Sequence, residues 1–403
     1  MAKIRFVEPW APEFTGTSWY VGKNGSDASV SGRGSMDKPF LTIQNAITLA
    51  SAGDRIYVGR GTYTEALTID KTLYVSAMVP ESVLVTSATV AGATVLYNGT
   101  QTGGFWDGLN ITNSNNAGTS FALAIANLGG MSGKYVFTKC RVLAGTAGAT
   151  TAQSYVITGS AASAIQVEID SQRSIGGNTI ALAHANDVVT FRDVMWSDGP
   201  QDWFTVTGTA GNIYLKGCVL LGAGGTERFN FGAATACGVV CHLESSHLNG
   251  RIYLNNAAGT GYVVMRDVGG DPASGFAITN NQRNNIIHYE DGDYLTIQMQ
   301  SLDANSAGAV VMYTVPGGRQ FFPERVTTTN KVVATGAAFT RAYNGSGAGT
   351  IVVAPVAGAF ALGTTVETCI ADVVPAAGTV GITITASTQA GDRVDATVKG
   401  RLM

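Results

Sequence analysis

The chain has 403 residues, 51 of them glycine, and only 13% are Asp, Glu, Lys or Arg, against roughly 25% in ordinary soluble domains. A net charge of −3 and a pI near 5.8, with no basic block, exclude an electrostatic partner such as nucleic acid or an anionic membrane. No run approaches the ~18 apolar residues of a membrane span, and long exposed helices would need far more Glu, Lys and Arg. Gly, Ala, Ser, Thr, Asn and Val remain, the vocabulary of strands and tight turns.

Residues 1–17 read as an N-terminal arm. Ile4, Phe6, Val7, Trp10 and Phe14 are apolar anchors, and Pro9 and Pro12 prevent a continuous helix. Two uses stay open: a strand folded on its own body, or a docking arm inserted into a partner through Phe6, Val7, Trp10 and Phe14. The stretch lacks the apolar core of a signal peptide, so the chain is expected to stay where it is made.

Trp19-Tyr20-Val21 reads as a strand, followed by a Gly/Ser/Asp-rich loop to Asp37. Ile43, Ala46, Ile47 and Ala50 then recur at helical spacing, with Gly53 as the helix stop. Asp54 to Val58 is a strand, and Gly59 to Tyr63 a turn. A short amphipathic helix before a stack of strands covers the stack's open apolar end, where an exposed edge invites aggregation. The run of Trp19-Tyr20-Val21, Gly34-Ser35, Pro39-Phe40, Thr42-Ile43-Gln44, Ala46, Gly53-Asp54, Gly61-Thr62-Tyr63 and Glu65 resembles the N-terminal cap of pectate-lyase-like right-handed β-helices. That resemblance speaks to fold; lyases and inert virion proteins share it.

A weak repeat follows: an apolar residue, a polar one, a turn-compatible one, then a small or branched one. It occurs at Phe191-Arg192-Asp193-Val194, Leu215-Lys216-Gly217-Cys218, Leu243-Glu244-Ser245-Ser246 and Met265-Arg266-Asp267-Val268, spaced 24, 28 and 22 residues apart. Less regular members precede it at Phe137-Thr138-Lys139-Cys140 and Ile169-Asp170-Ser171-Gln172. Such periods mean one coil per repeat, each unable to bury its face alone. Stacking predicts Cys140 and Cys218 in one interior column. The five cysteines, odd in number and scattered, read as reduced thiols.

The stack is expected to end near Tyr294-Leu295-Thr296-Ile297, with a linker over 301–309 and strands separated by Gly/Ala turns from Val310 onward. The expected fold is therefore all-β: a right-handed parallel β-helix over 18–300 with a cap helix, then a C-terminal β-sandwich over 310–403. Tyr313 to Arg319, Phe322 to Val326 and the ending Asp395 to Leu402 resemble a small C-terminal module of phage virion proteins.

For chemistry, the densest segment is Trp196-Ser197-Asp198-Gly199-Pro200-Gln201-Asp202-Trp203, with Glu227 one coil later. Paired carboxylates with stacking tryptophans are what polysaccharide hydrolysis uses, so Asp198, Asp202 and Glu227 are candidate catalytic residues, and Trp196 and Trp203 candidate sugar platforms. The plainer reading is a polar loop between coils, with Asp198-Gly199-Pro200 as turn chemistry and the Trp residues packed against their neighbours. Arg192-Asp193 and Arg266-Asp267 occupy equivalent repeat positions and read as a column of solvated charges. Cys237, Cys241 and His242 suggest zinc, but strand alternation sends Cys241 and His242 to opposite faces. No metal or cofactor is expected.

Both resemblances imply a homotrimer on a tailed-phage virion, assembled in the host cytoplasm. The first reading is a non-enzymatic capsid decoration protein, partnered by the major capsid protein or other virion proteins. The alternative is a tailspike or receptor-binding protein that binds or depolymerises host surface polysaccharide. Neither reading involves nucleic acid or membrane insertion.

Overall fold

The computed structural model describes residues 16–145, 152–196, 204–221, 227–232, 236–248, 251–254, 259–268, 277–280, 286–291, 294–303, 308–314, 321–332, 339–345, 350–358, 365–369, 379–384 and 393–402. The chain winds as a right-handed parallel β-helix whose coils pass in turn through three sheets. The first sheet contains Ser18–Val21, Arg55–Val58, Tyr74–Ala77, Gly103–Asp107, the leading parts of Gly133–Ala144 and Ile165–Ile175, Val188–Arg192, Asn212–Lys216, Val240–Glu244 and Val263–Arg266. The second is narrower, with strands such as Val83–Ser87, Leu109–Asn113, Met195–Trp196 and Val219–Leu220. The third has nine described strands, from Leu67–Ile69 to Ala277–Asn280.

Alternation along each strand builds the core. Val167 and Ile169, Val189 and Phe191, and Ile213 and Leu215 all point inward from the first sheet and are fully buried. Phe191 meets Tyr155, Trp196 and Phe204 edge-to-face at centroid distances of 5.4, 5.5 and 5.3 Å. Such pairs add about 0.5–1.5 kcal/mol each beyond area burial.

The sequence repeat is the register itself. Ile169 pairs with Phe191, Phe191 with Leu215, Leu215 with Leu243, and Leu243 with Met265. Its turn-compatible third residue is the corner between the first and second sheets. Lys139, Asp193, Gly217, Ser245 and Asp267 all have φ between 46° and 62°, a left-handed conformation that turns the chain at a cost of roughly 1–2 kcal/mol for a residue with Cβ. Ile169 to Gln172 has no such corner: its strand runs on to Ile175, and the register slips where Lys139 has no counterpart. The fourth repeat residue points inward, which stacks Val194, Cys218 and Ser246 in one buried column; Cys140 is buried at the equivalent corner of an earlier coil, with the register slip of the Ile165–Ile175 strand between it and that column. Burial pushes the thiols of Cys140 and Cys218 up to about 12, so neither is a nucleophile at neutral pH.

The cap residues have structural work. Ile43–Leu49 is a helix with Thr42 as N-cap, and Ile43, Ala46, Ile47 and Ala50 are buried over the first coil. Glu65 closes the helix N-terminus, accepting from the backbone N–H of Ile43 and Gln44 at 3.0 and 2.9 Å. Asp54 accepts from the Thr17 and Ser51 amides and from the Trp19 indole. The helix stops at Ala50 rather than Gly53, which sits in the following turn at φ 89°. Gly61–Thr64, read from sequence as part of a turn, is a strand of the second sheet.

Parallel winding ends where Ile286–Asp291 turns back and pairs antiparallel with Tyr294–Asp303. Residues 301–303, expected in a linker, belong to that strand. The last strand, Arg393–Leu402, pairs with Tyr294–Asp303 on one side and Phe321–Val332 on the other, tying the tail to the end of the stack. Four further antiparallel strands, Gly308–Thr314, Phe339–Gly345, Thr350–Gly358 and Thr379–Ile384, form a separate small sheet. Phe339–Gly345 was not anticipated from sequence.

Candidate functional site

Trp196 is not a sugar platform. It is fully buried, its ring 4.9 Å from Phe204 and 5.5 Å from Phe191, because alternation turns it into the core. Asp198, Asp202 and Trp203 lie outside the described residues, as do Phe6, Val7, Trp10 and Phe14. Glu227 opens the strand Glu227–Phe231, which adjoins Phe204–Gly208 one coil earlier. Cys241 is buried while His242 faces outward, its ring stacked on Tyr214 at 4.3 Å, so the two cannot share one metal ion. Among the described residues no group of three or more His, Cys, Asp and Glu is placed to hold a metal.

What the coils bring together lies on the outward surface of the first sheet. The polar second residue of each repeat stands in one cross-strand column: Asp107, Thr138, Asp170, Arg192, Lys216, Glu244 and Arg266. Two residues earlier on each strand, a parallel column contains Val136, Glu168, Thr190, Tyr214 and His242. The expected column of charges is thus present, and it is longer than the sequence repeat indicated.

Ion pairs brace much of it. Glu244 accepts from Lys216 at 2.9 Å and from Arg266 at 3.3 Å. Lys134 pairs with Glu168 at 3.0 Å, and Thr138 donates to Asp107 at 3.0 Å. These groups are partly exposed, so each pair contributes at most about 1 kcal/mol. Their main effect is to hold side chains at set positions above the sheet.

Between them runs a groove of about 400 Å³ lined by Lys134, Val136, Thr138, Glu168, Asp170 and Arg192. Val136 and Thr138 are nearly buried and form its floor. Lys134 also borders a second depression of about 570 Å³ that includes Gln166, Asn186 and Asn212. Glu168 and Asp170 are alternate residues of one strand, so they share this face about 7 Å apart along it. The groove offers acceptors, donors and an apolar floor in fixed register, which suits a polyhydroxylated chain lying across the coils. Glu168 escaped the sequence reading because Gln166-x-Glu168-x-Asp170 is ordinary strand alternation; only the stacking of coils, which brings Lys134 and Arg192 onto the same groove, makes it a site.

Fold and surface define a right-handed parallel β-helix protein with a polar groove on one flank. No family model matches the sequence, and no curated protein matches it in sequence. Among solved structures it is similar to the pectate lyase Pel9A, at 13% identity and TM-score 0.44 over 67% of this chain and 78% of that one. It is also similar to the pectin methylesterase PemA from Erwinia chrysanthemi, at 17% identity and TM-score 0.36 over 65% and 80%. A third is the tailspike protein of Acinetobacter phage vB_ApiP_P1, at 11% identity and TM-score 0.31 over 90% and 84%. These likenesses concern the fold.

Proposed function

We propose that this chain is a virion-associated β-helix protein of the tailspike or receptor-binding type, which binds host surface polysaccharide in the first-sheet groove. The observation that carries the reading is the groove itself: Lys134, Glu168, Asp170 and Arg192, brought together from three adjacent strands, above a floor of Val136 and Thr138. A carbohydrate is recognised by such alternating donors and acceptors over an apolar floor. The proposal ranks glycan binding above capsid decoration, because a shell-attachment role gives the groove nothing to do. Assembly as a homotrimer belongs to the same proposal. Binding without cleavage is expected, since Lys134 occupies the Glu168 carboxylate.

The test is binding of purified protein to immobilised polysaccharides from candidate hosts, with the polymer sized before and after incubation. Capture of a polysaccharide, at least tenfold weakened by Glu168→Gln with Asp170→Asn and with polymer length unchanged, is the expected result. Shortening of the polymer that disappears in Asp198→Asn or Asp202→Asn makes the protein a depolymerase with its chemistry in that loop. Incorporation into heads with no glycan binding restores the decoration reading.

A further inference from the structure

We infer that Arg192 marks an anion-binding subsite in the first-sheet groove, so that the polysaccharide taken there has isolated acidic sugars set among neutral ones. This rests on the glycan-binding reading above. Along the outward face of the first sheet from Gly103 to Arg266, the other cations are engaged. Lys134 meets Glu168 at 3.0 Å, Lys139 meets Asp107 at 4.0 Å, and Lys216 and Arg266 share Glu244. Arg192 is exposed on the groove wall, and among the described residues no hydrogen bond or ion pair reaches it.

One of its two register neighbours opposes its charge. In register it stands between Asp170 and Lys216. Like charges directly opposite one another across a sheet are destabilising. Lys216 is held in place by Glu244 at 2.9 Å, and Glu244 already serves two cations. A bound anion at Arg192 relieves this repulsion, and the guanidinium fork matches a carboxylate with two parallel hydrogen bonds.

The same groove limits how much negative charge it accepts. Glu168 and Asp170 line it too, and a second ligand carboxylate beside them is repelled. They instead accept hydrogen bonds from sugar hydroxyls. One acidic sugar at Arg192, flanked by neutral sugars, satisfies the cation and both carboxylates. A contiguous polyuronate does not.

The experiment uses an array of polysaccharides in three groups: repeats alternating one uronic acid with neutral sugars, contiguous polyuronates, and neutral polymers. Each acidic polymer is paired with its carboxyl-reduced form. The full-length protein should bind an alternating polymer at least tenfold more tightly than its reduced form. Arg192→Gln should bring that ratio within about twofold, with an unaltered thermal melt. Equal binding of both forms, a preference kept by Arg192→Gln, or tightest binding of contiguous polyuronates or of phosphorylated glycans overturns the subsite and leaves the groove reading standing. Binding to no polysaccharide at all removes the groove reading, and the subsite with it.

Discussion

The first and third sheets share every coil between them and pack inward with the same kinds of residue, yet their outward faces differ. From Leu67–Ile69 to Phe204–Gly208, the described strands of the third sheet contain no Asp, Glu, Lys or Arg at all. Its central outward column is Thr68, Leu96, Ala124, Val156, Thr179 and Thr205. The corresponding outward columns of the first sheet hold Lys134, Glu168, Asp170, Arg192, Lys216, Glu244 and Arg266. Inward positions are dictated by close packing, which admits few substitutions. Outward positions are released from that demand. In a chain with so little charge, its gathering on the outward face of the first sheet is what sets this flank apart from the third.

The sharpest way to break this comparison is to exchange burial for exposure on the first sheet alone. Phe191→Ala removes a ring in contact with Tyr155, Trp196 and Phe204, and should cost about 3–5 kcal/mol. Tyr214→Ala, one coil on and facing outward beside His242, should cost about 1 kcal/mol or less. Urea unfolding at constant m-value measures both. Equal losses would mean that the outward face is part of the core, and its charges no longer a free choice.

A smaller effect probes a charge that serves the fold rather than the flank. Asp54 is nearly buried and accepts from the Thr17 and Ser51 amides and the Trp19 indole. Burial pushes its carboxyl up, but these bonds and the Lys71 charge outweigh it and hold the carboxyl below its ordinary value. A depressed native pKa contributes stability that is complete above the unfolded value, near pH 4, and drains as pH falls toward the native one. Asp54→Ala should therefore cost about 2 kcal/mol at pH 7. Thermal melts between pH 6 and 2 should show the wild type losing part of that advantage below pH 4. An unchanged difference across the range would mean that the carboxylate acts through shape alone.

The two sheets were not equally legible in the sequence. The cap was, because each of Thr42, Gly53, Asp54, Tyr63 and Glu65 answers a local need such as a helix end, a tight turn or a lone indole. The repeat was, because a corner requires one turn-compatible residue followed by one small inward residue. Trp196 stayed open between platform and packed side chain, because a tryptophan beside acids looks like either until the register places it indoors. The groove was missed for the opposite reason: Lys134, Glu168 and Arg192 lie far apart in the chain and become neighbours only through coil spacing. Strand alternation in the C-terminal quarter identified most of its strands, but their pairing is antiparallel and long-range, and no local pattern specifies which edge meets which.

The smallest expected effect sits at the corner where the first sheet ends. Asp193 adopts φ 52° between the charged column and the buried one, while its counterpart one coil later is Gly217 at φ 62°. The corner geometry is therefore shared, and only the residue with a Cβ is strained by it. Asp193→Gly should raise stability by about 1 kcal/mol, less what the more flexible unfolded chain takes back. Gly217→Ala should lower it by a similar amount, since its Cβ would stand 2.4 Å from the Asp193 carboxylate oxygen as well as in a left-handed backbone. Differential scanning calorimetry of the two variants and of the double exchange, with glycine and aspartate swapped, reads both signs. A stabilised Gly217→Ala would show that the corners are not equivalent, and that the surface columns above them follow register without sharing a backbone turn.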